Sequence, residues 1–191
     1  MRKIGDKLAC REIVMQPAVN SSFDVAIWFL DRARSENSYL QPRKLQFLLF
    51  FAQGHYAGAY QGRRLMPSVF VVDEAGPLDP NLYRAFEQGR PNVSEVSMDE
   101  EILVFLDAIW RRYRDDEPMK LDRLISRYGK NDVAIENRDG SEVGISSMMH
   151  MFARDDDKKN KQPKMLRTYT GKAVKAIPWR PPKSITTTSN E

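Results

Sequence analysis

The side chains that could carry chemistry are few and far apart. The chain has two histidines, His55 and His150, and one cysteine, Cys10. A nucleophile–histidine pair would have to use one of those imidazoles. His55 stands in an apolar run between Gly54 and Tyr56, and His150 is followed by Met151 and Phe152. Both surroundings suit a packed, hydrogen-bonded structural histidine. The carboxylate runs Asp99-Glu100-Glu101 and Asp155-Asp156-Asp157 are contiguous. The first suits a helix N-terminus, where negative charge meets the positive end of the macrodipole. The second has no other oxygen-rich element near it in sequence to complete a magnesium site. The ten glycines are scattered, with no phosphate-cradling loop. The expectation is a non-enzyme with no catalytic, cofactor-binding or metal-binding residue.

Whatever the chain does must therefore rest on a scaffold and its surface. Phe23, Ala26, Ile27, Leu30 and Ala33 recur at helical spacing, and Ser22 can cap a helix running to about Glu36. Pro42 suits a first helical position, where its missing N–H costs nothing. The helix it opens, to about Gln61, is apolar on most of its circumference through Leu45, Phe47, Leu48, Leu49, Phe50, Phe51 and Ala52. Such a helix belongs in the middle of a bundle. Gly54 and Gly58 share a face of it and invite a close neighbour. Val69 to Val72 favours a strand, which Gly76-Pro77 is expected to break. Asp79 reads as an N-cap with Pro80 at the first helical position, opening a helix to about Gln88. Ser97 to Glu100 reads as a capping box before a helix carrying Ile102, Leu106, Ile109, Trp110 and Tyr113. Pro118 starts another, ending at Gly129. Val133 and Ile135, Asp139-Gly140, and Val143 and Ile145 together give the pattern of a small hairpin. Ser146 to Ala153 closes the domain as a short helix.

These elements predict a mainly α fold, a compact helical bundle with a small strand or hairpin element. The 191 residues divide into an N-terminal extension (1–20), a helical domain (21–153) and a basic, largely disordered tail (154–191). A hydrophobic fraction of 41% and a charged fraction of 29% are those of a globular chain. From Arg154 to Glu191 ten lysines and arginines face four acids, a local charge of +6; the whole chain carries +4, so the remainder is −2. Such a tail can touch nucleic acid or an acidic partner, though solubilisation alone accounts for it. In the domain, Arg63-Arg64 and Arg111-Arg112 sit where cations suit helix C-termini, so no nucleic-acid face is expected there. Within the tail, Ile177-Pro178-Trp179-Arg180-Pro181-Pro182 has the make-up of a short docking motif. No apolar run spans a bilayer, residues 1–20 lack the apolar centre of a signal peptide, and the single cysteine fits a reducing compartment. A cytoplasmic location with no membrane contact is expected.

The stretch Lys44-Leu45-Gln46-Phe47-Leu48-Leu49-Phe50-Phe51-Ala52-Gln53-Gly54 resembles a known family helix. It is similar to the lysine-leucine-glutamine-lysine-leucine-leucine-tyrosine-tyrosine-alanine-glutamine-glycine helix of the Panacea domain. That family includes SocA-like and GepA-like phage-associated antitoxins. Leu65-Met66-Pro67 and Ala75-Gly76-Pro77-Leu78-Asp79-Pro80-Asn81-Leu82-Tyr83 are similar to later family elements, in the same order. Phe47 stands where the family has lysine, and the family's tryptophan before Gly-Pro is absent. The resemblance implies a compact helical antitoxin that binds a partner protein: a cognate toxin, a regulator or a protease to which a toxin is delivered. On that reading the partner-facing candidates are Arg43, Gln46, Gln53, Gly76, Pro77, Asp79 and Tyr83, with Leu45, Leu48, Leu49, Phe50, Phe51 and Ala52 left to the core.

Overall fold

The computed structural model describes residues 16–87, 89–91, 98–161, 164–167 and 173–176, with side chains as far as Ala153. Two compact units, residues 1–153 and 154–191, are distinguished. The described residues form seven helices: α1 (Ser22–Ser35), α2 (Pro42–Ala59), α3 (Pro80–Phe86), α4 (Glu100–Tyr113), α5 (Pro118–Tyr128), α6 (Val133–Asn137) and α7 (Ile145–Lys161). Strands β1 (Val71–Asp73), β2 (Gly76–Leu78) and β3 (Ser141–Glu142) make a small antiparallel sheet in the order β2-β1-β3. The chain is thus mainly α with a minor β element.

Helix α2 is the centre of the first unit. Every residue from Leu45 to Ala57 is buried, and α1, α4, α5 and β2 all pack against it. The cause is the absence of a polar stripe: a helix apolar all round must be covered all round. Its aromatic residues nest with those of its neighbours. Phe51 stacks on Tyr113 of α4 with centroids 4.3 Å apart, and Phe50 meets Phe70 edge-on at 5.5 Å. Gly54 and Gly58 admit α7. A Cβ on Gly54 would lie 2.2 Å from the Phe152 ring, and one on Gly58 would lie 3.0 Å from the Ala153 backbone nitrogen.

The helix starts follow from local chemistry, with small shifts. Ser21, not Ser22, caps α1, its hydroxyl accepting from the Phe23 N–H at 3.1 Å. Pro42 opens α2 as expected. Asp99 stands at the N-cap of α4 without a side-chain cap bond; Ser97, the expected cap, lies outside the described residues. Residues assigned to the N-terminal extension contribute to the core: Ala18 and Val19 donate backbone hydrogen bonds to Arg64 and Leu65, and Val19 is buried.

Two segments differ from the sequence expectation. Gly76-Pro77 does not end a strand but lies in one, with Pro77 opposite Val72 of β1. Proline is tolerated because β2 is one of the sheet's two outer strands. Val133–Asn137 is helical rather than one arm of a hairpin. Asp132 Oδ1 accepts from the Ala134 and Ile135 N–H groups, capping a single turn that buries Ala134 and Ile135 and leaves Val133 exposed. Capping overrode the alternating pattern. Arg138 then adopts a left-handed conformation (φ 52°). Asp139-Gly140 leads into β3, which pairs with β1 instead.

In the second unit, α7 continues to Lys161, where a linker was expected, and β4 (Lys164–Arg167) pairs antiparallel with β5 (Ala173–Ala176). The Pro178–Glu191 end, the Ile177–Pro182 motif and Cys10 lie outside the described residues.

Phe152 is fully buried among Phe50, Phe51, His55 and Tyr128, so it cannot retreat from a new methyl group. Gly54→Ala should therefore lower unfolding free energy by about 1–3 kcal/mol in urea titration, overcoming the ~1 kcal/mol that alanine contributes to helix propensity. Gly144→Ala, where a Cβ would meet nothing within 4 Å, should be near neutral.

Candidate functional site

Three of the candidate residues, Gln46, Gln53 and Asp79, are built into polar contacts beneath the surface. The Asp79 carboxylate caps α3, its Oδ1 accepting from the Asn81 and Leu82 N–H groups at 2.9 and 3.1 Å. Its Oδ2 accepts from the Ser68 hydroxyl. Its own N–H donates to Gln46 Oε1 at 2.9 Å. Further along α2, Gln53 Oε1 accepts from the N–H groups of Leu65 and Met66, at 3.2 and 3.1 Å. Gln46, Gln53 and Asp79 are 5%, 1% and 1% exposed. All three position loops; Gln53 and Asp79 present no surface, contrary to the expectation that they face a partner, and Gln46 reaches the outside only at the floor of a groove. The physical reason is the burial of α2 on nearly every side: its glutamines sit under chain that wraps the helix and must satisfy that chain's backbone groups.

Gly76 and Pro77 are also buried. Gly76 adopts φ +111°, and a Cβ there would lie 2.8 Å from the Phe47 ring. It is required by close approach, and Phe47 is what approaches. Arg43 is exposed, its guanidinium 5.6 Å from the centroid of the Phe47 ring. Tyr83 is 52% exposed.

The contacts around Asp79 support a groove of about 500 Å³ between the end of α1, the 37–41 loop, the start of α2, and α3. Leu30, Leu40, Leu45 and Phe86 supply apolar lining, Tyr39 and Tyr83 contribute aromatic rings, and Gln46 reaches it from below. Tyr39 is 81% exposed. Arg90 lines the groove too, and its guanidinium is bidentate on the Asp31 carboxylate (Nη2–Oδ2 2.9 Å). That pairing holds the Asp31 carboxyl below the usual carboxylate range. Of the sequence candidates, the groove brings together only Gln46 and Tyr83. Tyr39, Phe86 and Glu87 were missed. The signal for Tyr39 was present: a large aromatic in the polar turn Glu36-Asn37-Ser38, just ahead of Pro42, has no periodic core to join.

The histidines differ from one another. His55 is 4% exposed and shares a 2.7 Å hydrogen bond between its Nε2 and the Tyr113 hydroxyl. His150, expected to pack, is exposed, with Nδ1 2.6 Å from the Ser146 carbonyl one turn earlier. Lys44 donates to the Arg114 carbonyl at the end of α4. Burial lowers its pKa, opposed by the nearby charges of Asp115 and Asp116. Tyr60 donates to Glu101 at 2.6 Å, which pushes its hydroxyl up to about 12. Among the described residues no group of three or more His, Cys, Asp and Glu side chains is placed to hold a metal ion, and no helix is long and apolar enough to cross a membrane.

Removing the contacts around Asp79 should loosen the wall of the groove. Asp79→Ala loses the cap of α3 and the charged hydrogen bond from Ser68, and should cost about 2–4 kcal/mol in chemical denaturation. Asp79→Asn keeps an oxygen for the cap and should recover most of that.

Comparison with protein-family models, with curated proteins and with solved structures finds no match to this chain.

Proposed function

We propose that this chain is a non-enzymatic protein-binding module of the Panacea type, an antitoxin-like neutraliser or proteolytic adaptor that holds a partner protein in the bacterial cytoplasm. The observation that carries the reading is the groove: an apolar trough with two tyrosines on it, one 81% and one 52% exposed, fixed to a scaffold through buried hydrogen bonds. Exposed tyrosines around an apolar depression are the make-up of binding hot spots, because each ring contributes large contact area for little lost entropy. The resemblance to the Panacea helix supports the same reading in a specific way. Its glutamines, glycine and aspartate serve the scaffold, so members that share them can share a fold while the rim selects the partner. Phe47 in place of lysine fits this division, since it packs under Gly76 and contributes nothing to the rim.

Affinity capture with the full chain from a lysate of its own source organism should recover one protein. The Tyr39→Ala/Tyr83→Ala double variant should bind that protein more weakly by about a hundredfold or more, at roughly 1.4 kcal/mol or more per anchor, with an unchanged melting temperature. Expression of the adjoining reading frame alone should be harmful and should be relieved by this chain. Failure to capture any protein, together with a harmless neighbour, overturns the reading.

A further inference from the structure

The groove has a polar floor as well as an aromatic rim. Gln46 is 95% removed from solvent yet lines the groove. Its amide orientation follows from its neighbour: Oε1 is committed to the Asp79 N–H, so the group left to offer is the Nε2 amine. Among the described residues no hydrogen bond uses that amine. A fixed donor at the bottom of an apolar trough calls for a ligand that brings an acceptor between apolar groups.

The charges on the rim narrow the class. Arg90 is neutralised by Asp31. Glu87 is exposed at the C-cap of α3, where helix carbonyls add negative potential, and among the described residues it has no ion pair. The uncommitted charge on the groove is therefore negative, and a complementary ligand carries a cation.

An extended polyproline-type segment meets all three demands. Its rings pack on aromatic side chains, and its carbonyls, unused by any internal hydrogen bond, are free to accept. A helical segment has already spent its carbonyls on itself. A volume of about 500 Å³ suits a few residues of such a segment rather than a folded surface. Resting on the protein-binding reading above, we propose that the groove takes an extended, proline-containing, basic segment of the partner protein, with a main-chain carbonyl accepting from Gln46 Nε2, apolar residues against Tyr39, Tyr83 and Phe86, and a cationic side chain at Glu87.

The test titrates the isotope-labelled full chain with three probe peptides at millimolar concentration, followed by amide NMR shifts. The first is Pro-Pro-Leu-Pro-Arg-Pro, the second has glutamate in place of arginine, and the third is an alanine-rich helical peptide of the first one's charge. The first should shift the Gln46 side-chain amine signals and the Tyr39, Tyr83 and Phe86 backbone signals saturably. The second should bind several-fold more weakly, and Glu87→Gln should erase that difference. Tyr83→Ala should weaken the first peptide about tenfold or more. Gln46→Glu, which keeps the acceptor for Asp79 and loses the donor, should weaken it comparably; if that variant does not fold, the shift of the wild-type Gln46 amine is the deciding reading. Unmoved Gln46 signals, equal binding of the helical peptide, or no effect of Glu87→Gln overturns the proposal. A captured partner that the first peptide fails to displace removes this inference and leaves the protein-binding reading standing. Peptide shifts at the groove with no captured partner and a harmless neighbouring reading frame remove the antitoxin reading and leave only the groove's preference for an extended, basic, proline-containing segment.

Discussion

Thirteen consecutive positions of α2 are withdrawn from water, and everything else answers to that constraint. The backbone of a helix satisfies itself, so the apolar residues there need only cover. The polar ones need partners, and each is placed where a different piece of chain arrives. Gln46 meets the start of α3, Gln53 meets the 65–66 loop, and His55 meets Tyr113 of α4. A neutral hydrogen bond contributes only about 1 kcal/mol net, while an orphaned buried group costs about 1–3 kcal/mol. The asymmetry makes these contacts selectors of arrangement more than sources of stability. A wrapping that put another loop over Gln53 would pay for it twice, at the amide and at the loop.

Much of this was legible in the residues. Pro42, the Asp79-Pro80 cap, the helical periodicities of α4 and α5, and the all-round apolarity of α2 each act locally, within one turn or one helix, and local rules suffice for them. The close approach at Gly54 and Gly58 was also readable, because two glycines on one helical face have few other reasons to be there. What was not legible depends on which neighbour arrives. Alternation at Val133 and Ile135 looked like a strand; an aspartate one residue ahead capped a turn instead.

The candidate site is less legible in the residues than the fold. A glutamine on a helix is ordinarily a solvent residue, and the resemblance placed Gln46 and Gln53 among the partner-facing candidates. The pattern around them contradicted that assignment: with apolar side chains on nearly all sides of α2, they sit beneath other chain, and Gln46 keeps only the floor of the groove. The same logic applies to Gly76, Pro77 and Asp79, polar or turn-forming by type yet packed beneath α2's partners. Tyr83 survived because it sits on the outer side of a short helix whose inner side is Leu82. Tyr39 carried no periodic signal, only its misfit with the polar turn that holds it.

Pro77 has a further bearing on where the sheet ends. It occupies one of the two outer strands of the three-stranded sheet, a margin where unpaired backbone groups would otherwise recruit a further strand. A proline has no N–H to give at that margin, and the strand is only three residues long. The sheet is thereby finished at β2, which is packed on α2 and offers no N–H at Pro77 for a further strand. A turn residue that looked like a stop signal along the chain acts as a stop signal across the sheet.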